Sequence, residues 1–126
     1  MLGDTISIFQ GGSGGTEHVL KKVNQDNFSA EYLKRDLVNE LRVKIRHSVE
    51  KVASGDPEPL ERHNVELTVV SFADAENNLP EFRRVYSTTI RVDKTRSAYA
   101  SSTYWQEGMS FFLDDTITPL LLGWES

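Results

Sequence analysis

Cysteine is absent from this chain. No disulfide framework and no thiolate metal site can form, which fits a protein made in a reducing cytoplasm. Long apolar runs are missing too. None approaches the roughly 20 residues of a membrane span, and residues 1–10 carry Asp4 without a basic stretch, so they do not read as a signal peptide. Nor is there a surplus of positive charge: 19 acidic against 14 basic side chains give a formal net charge of −5 at pH 7. A uniformly basic nucleic-acid binder is thereby excluded. Any anionic partner must meet positive charge gathered on one surface. Hydrophobic residues make up 38% of the 126, enough for one domain with a modest core. A domain of this size buries about two-thirds of its unfolded surface, so a partner is expected to supply part of its stability.

What is present is alternation. Residues 5–10 alternate polar and apolar, and residues 11–15 are a Gly-rich turn before a second extended run at 16–23. Two strands around such a turn form a hairpin. A short strand is expected at 28–33. The clearest run is 41–49, where Leu41, Val43, Ile45, His47 and Val49 take one face and Arg42, Lys44, Arg46 and Ser48 the other. After a turn cluster at 54–59 the chain returns through 62–69. There Val65, Leu67 and Val69 oppose Arg62, Asn64, Glu66 and Thr68. Residues 73–80 are a polar loop, and 83–93 are a third long strand. Alternation there groups Tyr86 with Ile90 and Val92, and Ser87, Thr89 and Arg91 with the other set. Three long strands with short connections predict an antiparallel meander, one face covered and one polar.

From about Ser97 the period becomes helical. Trp105, Met109 and Phe112 form one stripe, Tyr104 and Phe111 a second. Thr103 and Gln106 fit a capping box. Thr118 reads as an N-cap before Pro119, and Gly123 as a stop. Two aromatic stripes need two surfaces to pack on: the chain's own sheet and a second subunit. The apolar tail 120–124 calls for the same cover.

A search for catalytic chemistry leaves nothing standing. Residues 11–15 match the pattern of a nucleophile elbow centred on Ser13, but that motif needs a helix after it, and an extended run follows. The same turn lacks the Lys-Ser/Thr ending of a phosphate loop. His18, His47 and His63 lie on separate strands without metal-ligand spacing, and the last two read as structural residues under a helix. Asp114 and Asp115 are adjacent, so on a helix they point apart; a divalent cation such as calcium, shared between subunits, is the one metal they leave open. No other cofactor is expected. The cations of 42–46 could simply deter edge aggregation. Against that, the neighbouring strand repeats hydrogen-bonding groups, and in an acidic chain these cations are segregated. The combination reads as a face for RNA.

Leu2-Gly3-Asp4-Thr5, the turn 11–16, Val19-Leu20, Asn24-Gln25-Asp26, Arg46-His47, the run 61–66, Pro80-Glu81-Phe82, Ile90-Arg91 and the run 122–126 together resemble a known pattern. Nearly end to end and in order, they resemble the coat proteins of small single-stranded RNA bacteriophages, the levivirus family, most nearly its Caulobacter phage member. The resemblance implies an α+β fold in one coat-protein domain over 1–126. It comprises an N-terminal hairpin (about 5–23), a five-stranded antiparallel sheet (about 28–94) and two C-terminal helices (about 97–123) interlocking in a dimer. It further implies a non-enzymatic capsid subunit that assembles into an icosahedral shell in the bacterial host cytoplasm and resides in the virion. Its partners would be itself and single-stranded genomic RNA, including a stem-loop whose binding represses replicase translation; no membrane is involved. Carried over by position, the RNA face is Arg42, Lys44, Arg46, Ser48, Arg62, Asn64, Glu66, Thr68, Ser87, Thr89 and Arg91, with Asn64 and Thr68 as base readers. The dimer interface is Tyr104, Trp105, Met109, Phe111 and Phe112. The loop 73–80 corresponds to the family's variable loop at the shell's symmetry axes. The competing reading is a cellular dimeric RNA- or protein-binding α+β module.

Overall fold

The alternating runs form strands β1 (Thr5–Gln10), β2 (Thr16–Gln25), β3 (Ser29–Arg35), β4 (Asn39–Val49), β5 (Glu61–Ser71) and β6 (Phe82–Val92). The structure, a computed structural model, describes residues 2–10, 14–50, 60–92, 103–113 and 116–123. Each strand pairs antiparallel with the next, in the order β1-β2-β3-β4-β5-β6. The expected hairpin beside a five-stranded sheet is therefore corrected. The hairpin supplies the first two strands of one six-stranded sheet, because β2 continues to Gln25 and pairs with β3. Its register shifts between Lys22 and Asn24. Such a bulge inserts a residue and flips the alternation, which hides the end of β2 from a reading by pattern.

Aspartates set the tight connections. Asp26 Oδ1 accepts the N–H groups of Phe28 (2.8 Å) and Ser29 (2.7 Å); Asp36 Oδ1 accepts those of Val38 (2.7 Å) and Asn39 (2.8 Å). In the β5–β6 loop, Asp74 accepts the Glu76 N–H at 3.1 Å and the Asn77 side-chain amide at 2.7 Å. A short carboxylate reaching backbone N–H groups two and three residues on mimics a backbone turn. These bonds favour the charged form, and all three carboxyls are held below their ordinary value. In the β1–β2 turn, Gly14 has φ +85°, which a side chain would strain; residues 11–13, including Ser13, lie outside the described residues.

The core sits on one face of the sheet, where Leu20, Tyr32, Leu41 and Val43 are buried and Ile6, Ile8, Ala30, Ile45, Leu67 and Val69 pack around them. Leu20 and Tyr32 are fully enclosed, and the Tyr32 hydroxyl donates to the Gly3 carbonyl at 2.7 Å. Side chains from β1, β2, β4, β5 and β6 line one hollow on this face, including Ile8, Leu41, Leu67 and Tyr86, so the sheet curls around it. Toward β6 the cover thins: Val65 and Tyr86 stay 44% and 52% exposed. His47 is exposed too, which corrects its reading as a packed residue.

The chain divides into two compact units, Met1–Val92 and Asp93–Ser126. In the second, α1 spans Thr103–Phe112 and α2 Thr118–Leu122. Thr118 begins α2 and does not cap it. Ile117 holds the N-cap position without a side-chain bond, and Pro119 lies in the first turn. Gly123 closes the helix through its N–H to the Pro119 carbonyl at 2.9 Å, without left-handed backbone. The expected start near Ser97, the turn 54–59, the Asp114-Asp115 pair and the tail from Trp124 lie outside the described residues.

Candidate nucleic-acid interface

All eleven residues expected on one face do share it. In register across β4, β5 and β6 run the rows Arg42–Thr68–Val85, Lys44–Glu66–Ser87, Arg46–Asn64–Thr89 and Ser48–Arg62–Arg91. Directly paired residues on neighbouring strands point the same way. Val85 completes the grid, and Tyr86, opposite Leu67, falls on the apolar face as alternation indicates. On the strands β4 to β6 the polar face carries six cations (Arg42, Lys44, Arg46, Arg62, Arg83, Arg91) and two carboxylates (Glu40, Glu66), and Glu31 of β3 and Glu50, just after β4, also reach it. Cations thus predominate on this face of a net-acidic chain.

Those cations differ in how free they are. Arg42 is ion-paired with Glu31 and lies 3.7 Å from Glu40; Arg46 meets Glu66 at 3.1 Å; Arg91 donates from Nε to Glu50 at 3.0 Å. Glu40 is buried and is also held by Arg35 at 2.7 Å. Lys44, Arg62 and Arg83 have no ion-pair or hydrogen-bond partner among the described residues. The acidic partners Glu31, Glu40 and Glu50 escaped the sequence reading, because only the register brings them to the arginines. The exposed pair Arg46–Glu66 is worth about 0–1 kcal/mol, so an incoming anion can exchange for the carboxylate there at little cost, as it can at the exposed pair Arg91–Glu50.

Asn64 departs from its expected role. It is 6% exposed, and its amide nitrogen donates to Ser87 Oγ (2.9 Å), Thr89 Oγ1 (3.0 Å) and the Thr88 carbonyl (3.2 Å). With those donors engaged, Asn64 braces β5 against β6 and sets the two hydroxyls; Thr68, less enclosed, remains an outward uncharged hydrogen-bonding group on β5 beside Arg62 and Glu66. Near the β3 end of the grid, Asn24, Ser29, Glu31, Lys44 and Arg46 help line a hollow of about 240 Å³.

A model of the family described as phage phiCb5 coat protein matches residues 3–93, which takes in the whole sheet. The chain belongs to that coat-protein family. The phiCb5-type coat fold also has a structural counterpart in the bacteriophage EMS014 coat protein, with a TM-score of 0.62 and 16% identity over 87% of this chain and 72% of that one. No curated protein matches the sequence. A phiCb5-type coat protein is a structural subunit of the virion capsid, so the reading as a cellular module falls away. The residues expected at a dimer interface lie on α1. Of those with described side chains, Met109 is half-buried and Phe111 is 59% exposed; the side chains of Tyr104, Trp105 and Phe112 lie outside the described set.

Proposed function

We propose that this coat protein pairs through its C-terminal helices, that the dimers close into an icosahedral shell, and that the polar face of β4–β6 holds single-stranded genomic RNA on the inside. What carries the reading is the cationic excess on that face of a chain whose net charge is −5. Lys44 and Arg62 meet phosphates first; the paired arginines follow by exchanging a carboxylate for a phosphate. Ser87 and Thr89, fixed by Asn64, offer hydroxyls to bases splayed from a stem-loop, as does Thr68. Recognition of one such hairpin in the phage RNA would repress replicase translation, in the manner of the levivirus family. Exposed Phe111, with Leu120 to Leu122 of α2, supplies the apolar surface that a second subunit covers. The loop 73–80, tied by Asp74, serves subunit packing around the symmetry axes.

Light scattering and electron microscopy of the purified protein test the assembly. The expected product is a megadalton shell containing RNA, dissociating to dimers. A stable monomer at micromolar concentration contradicts the dimer, and shells that form equally well and stay empty in the presence of RNA contradict the inner RNA face.

A further inference from the structure

Sixteen residues apart in the chain, His47 and His63 are brought together by the register of β4 and β5 as direct cross-strand partners on the apolar face. Their Nδ1 atoms lie 2.8 Å apart, and the rings meet edge to face with centroids 5.0 Å apart and planes at 67°. One Nδ1 carries the proton and the other the lone pair. The Glu61 carboxylate stands 3.5 Å from His63 Nε2. It favours a proton on that nitrogen and leaves His63 Nδ1 as the lone pair facing His47. A carboxylate behind one imidazole, with a second imidazole in front, is the outer-shell arrangement that orients histidine ligands on metals. Among the described residues, no group of three or more His, Cys, Asp or Glu is arranged to hold an ion, so the protein donor set here is two imidazoles.

We propose that His47 and His63 form a two-imidazole site for a divalent transition-metal ion of the copper, nickel or zinc class. Metal–nitrogen bonds of about 2.0–2.1 Å place two ligand nitrogens about 2.8–3.4 Å apart, from square to tetrahedral angles. The observed 2.8 Å falls at the square end of that range. In the metal-free pair the Nδ1 atoms face each other across a shared proton. Rotation of the exposed His47 ring about its broad χ2 torsion turns both lone pairs toward one point. The ion then takes the Nδ1 lone pair of His47 as the ring's proton passes through solvent to Nε2, so both imidazoles stay neutral. Imidazole selects this class over calcium, which takes oxygen ligands. Bound there, the ion staples the end of β4 to the start of β5, on either side of the 51–59 connection.

His18 provides the internal control, being engaged separately by Lys34 (2.9 Å) and Gln10 (3.1 Å). Untagged full-length protein titrated with Cu(II) is expected to give an electron paramagnetic resonance signal with hyperfine coupling to two imidazole nitrogens. His47→Ala or His63→Ala should remove that signal and His18→Ala should keep it, while Glu61→Gln weakens binding by about tenfold without abolishing it. Zn(II) should raise Tm in the unaltered protein and not in the His47→Ala variant. Copper-catalysed oxidation of the unaltered protein, mapped by mass spectrometry, avoids any effect of substitution on folding and should mark His47 and His63. Oxidation centred on His18, an unchanged signal in either alanine variant, or no copper bound to the unaltered protein would each overturn the site.

Discussion

Replacing Arg42, Lys44 and Arg46 together by Gln removes three charges from one face of β4 and keeps extended polar side chains there. The three stand two residues apart, about 6.5–7 Å, a spacing suited to following the phosphates of a nucleic-acid strand. Each phosphate contact on a single strand contributes about 0.7 to the slope of log affinity against log salt. Lys44 has no partner to release among the described residues, so it should contribute its full share. The Arg46 side chain is 52% exposed beside Glu66, and such a pair is cheap to exchange. Arg42 is more enclosed, at 34%, and is contacted by two carboxylates, which makes it the least available. The triple variant should therefore flatten the slope by about 1.4 if Lys44 and Arg46 act, and by about 2 if Arg42 joins them. Lys44→Gln alone should give about 0.7. Filter binding of dimers to a single-stranded RNA stem-loop across a salt series measures this directly. Unchanged affinity together with an unchanged slope would refute the assignment of this face.

Truncating fully buried Leu20 to Ala should destabilise the sheet by about 2–5 kcal/mol in denaturant unfolding, through lost burial and a cavity beside Tyr32. Asn64→Ala removes three hydrogen bonds and should cost about 1–3 kcal/mol, with a shift in preference among RNA hairpins and little change in salt slope. The Asp36 carboxyl is held below its ordinary value of 3.8 by the N–H groups of Asn39 and Val38. A depressed folded value means stability that is present above 3.8 and lost as pH falls through the folded value. Melting temperatures of the native protein and Asp36→Ala should therefore differ at neutral pH and converge in acid; a gap that widened as pH fell would reverse the sign.

Much of the sheet was legible because one face is apolar and the other polar, and period-two alternation then fixes which side chains share a side. β1 is bounded as the pattern indicates, and the grid on β4, β5 and β6 falls in the phase read from Arg42, Asn64 and Ser87. The last two residues of β2, Asn24 and Gln25, were hidden because a bulge after Lys22 reverses the alternation. Pairing across strands was equally hidden. That Glu31 reaches Arg42, Glu66 reaches Arg46, and His47 meets His63 depends on register between segments 11 to 20 residues apart, which no local pattern encodes. Asn64 looked like an outward polar group by alternation, and only its neighbours Ser87 and Thr89 reveal that its amide is spent inside the sheet. At α2, Thr118-Pro119 imitates a capping signal one residue late, since Ile117 takes the cap.

The RNA surface is tested most directly by photocrosslinking the packaged RNA within intact particles and locating the adducts residue by residue with mass spectrometry. The account predicts adducts on Lys44, Arg46, Arg62, Thr68, Ser87 and Thr89, all on the polar face of β4–β6. Adducts confined to Tyr86, Val65 and other side chains of the opposite face would contradict it.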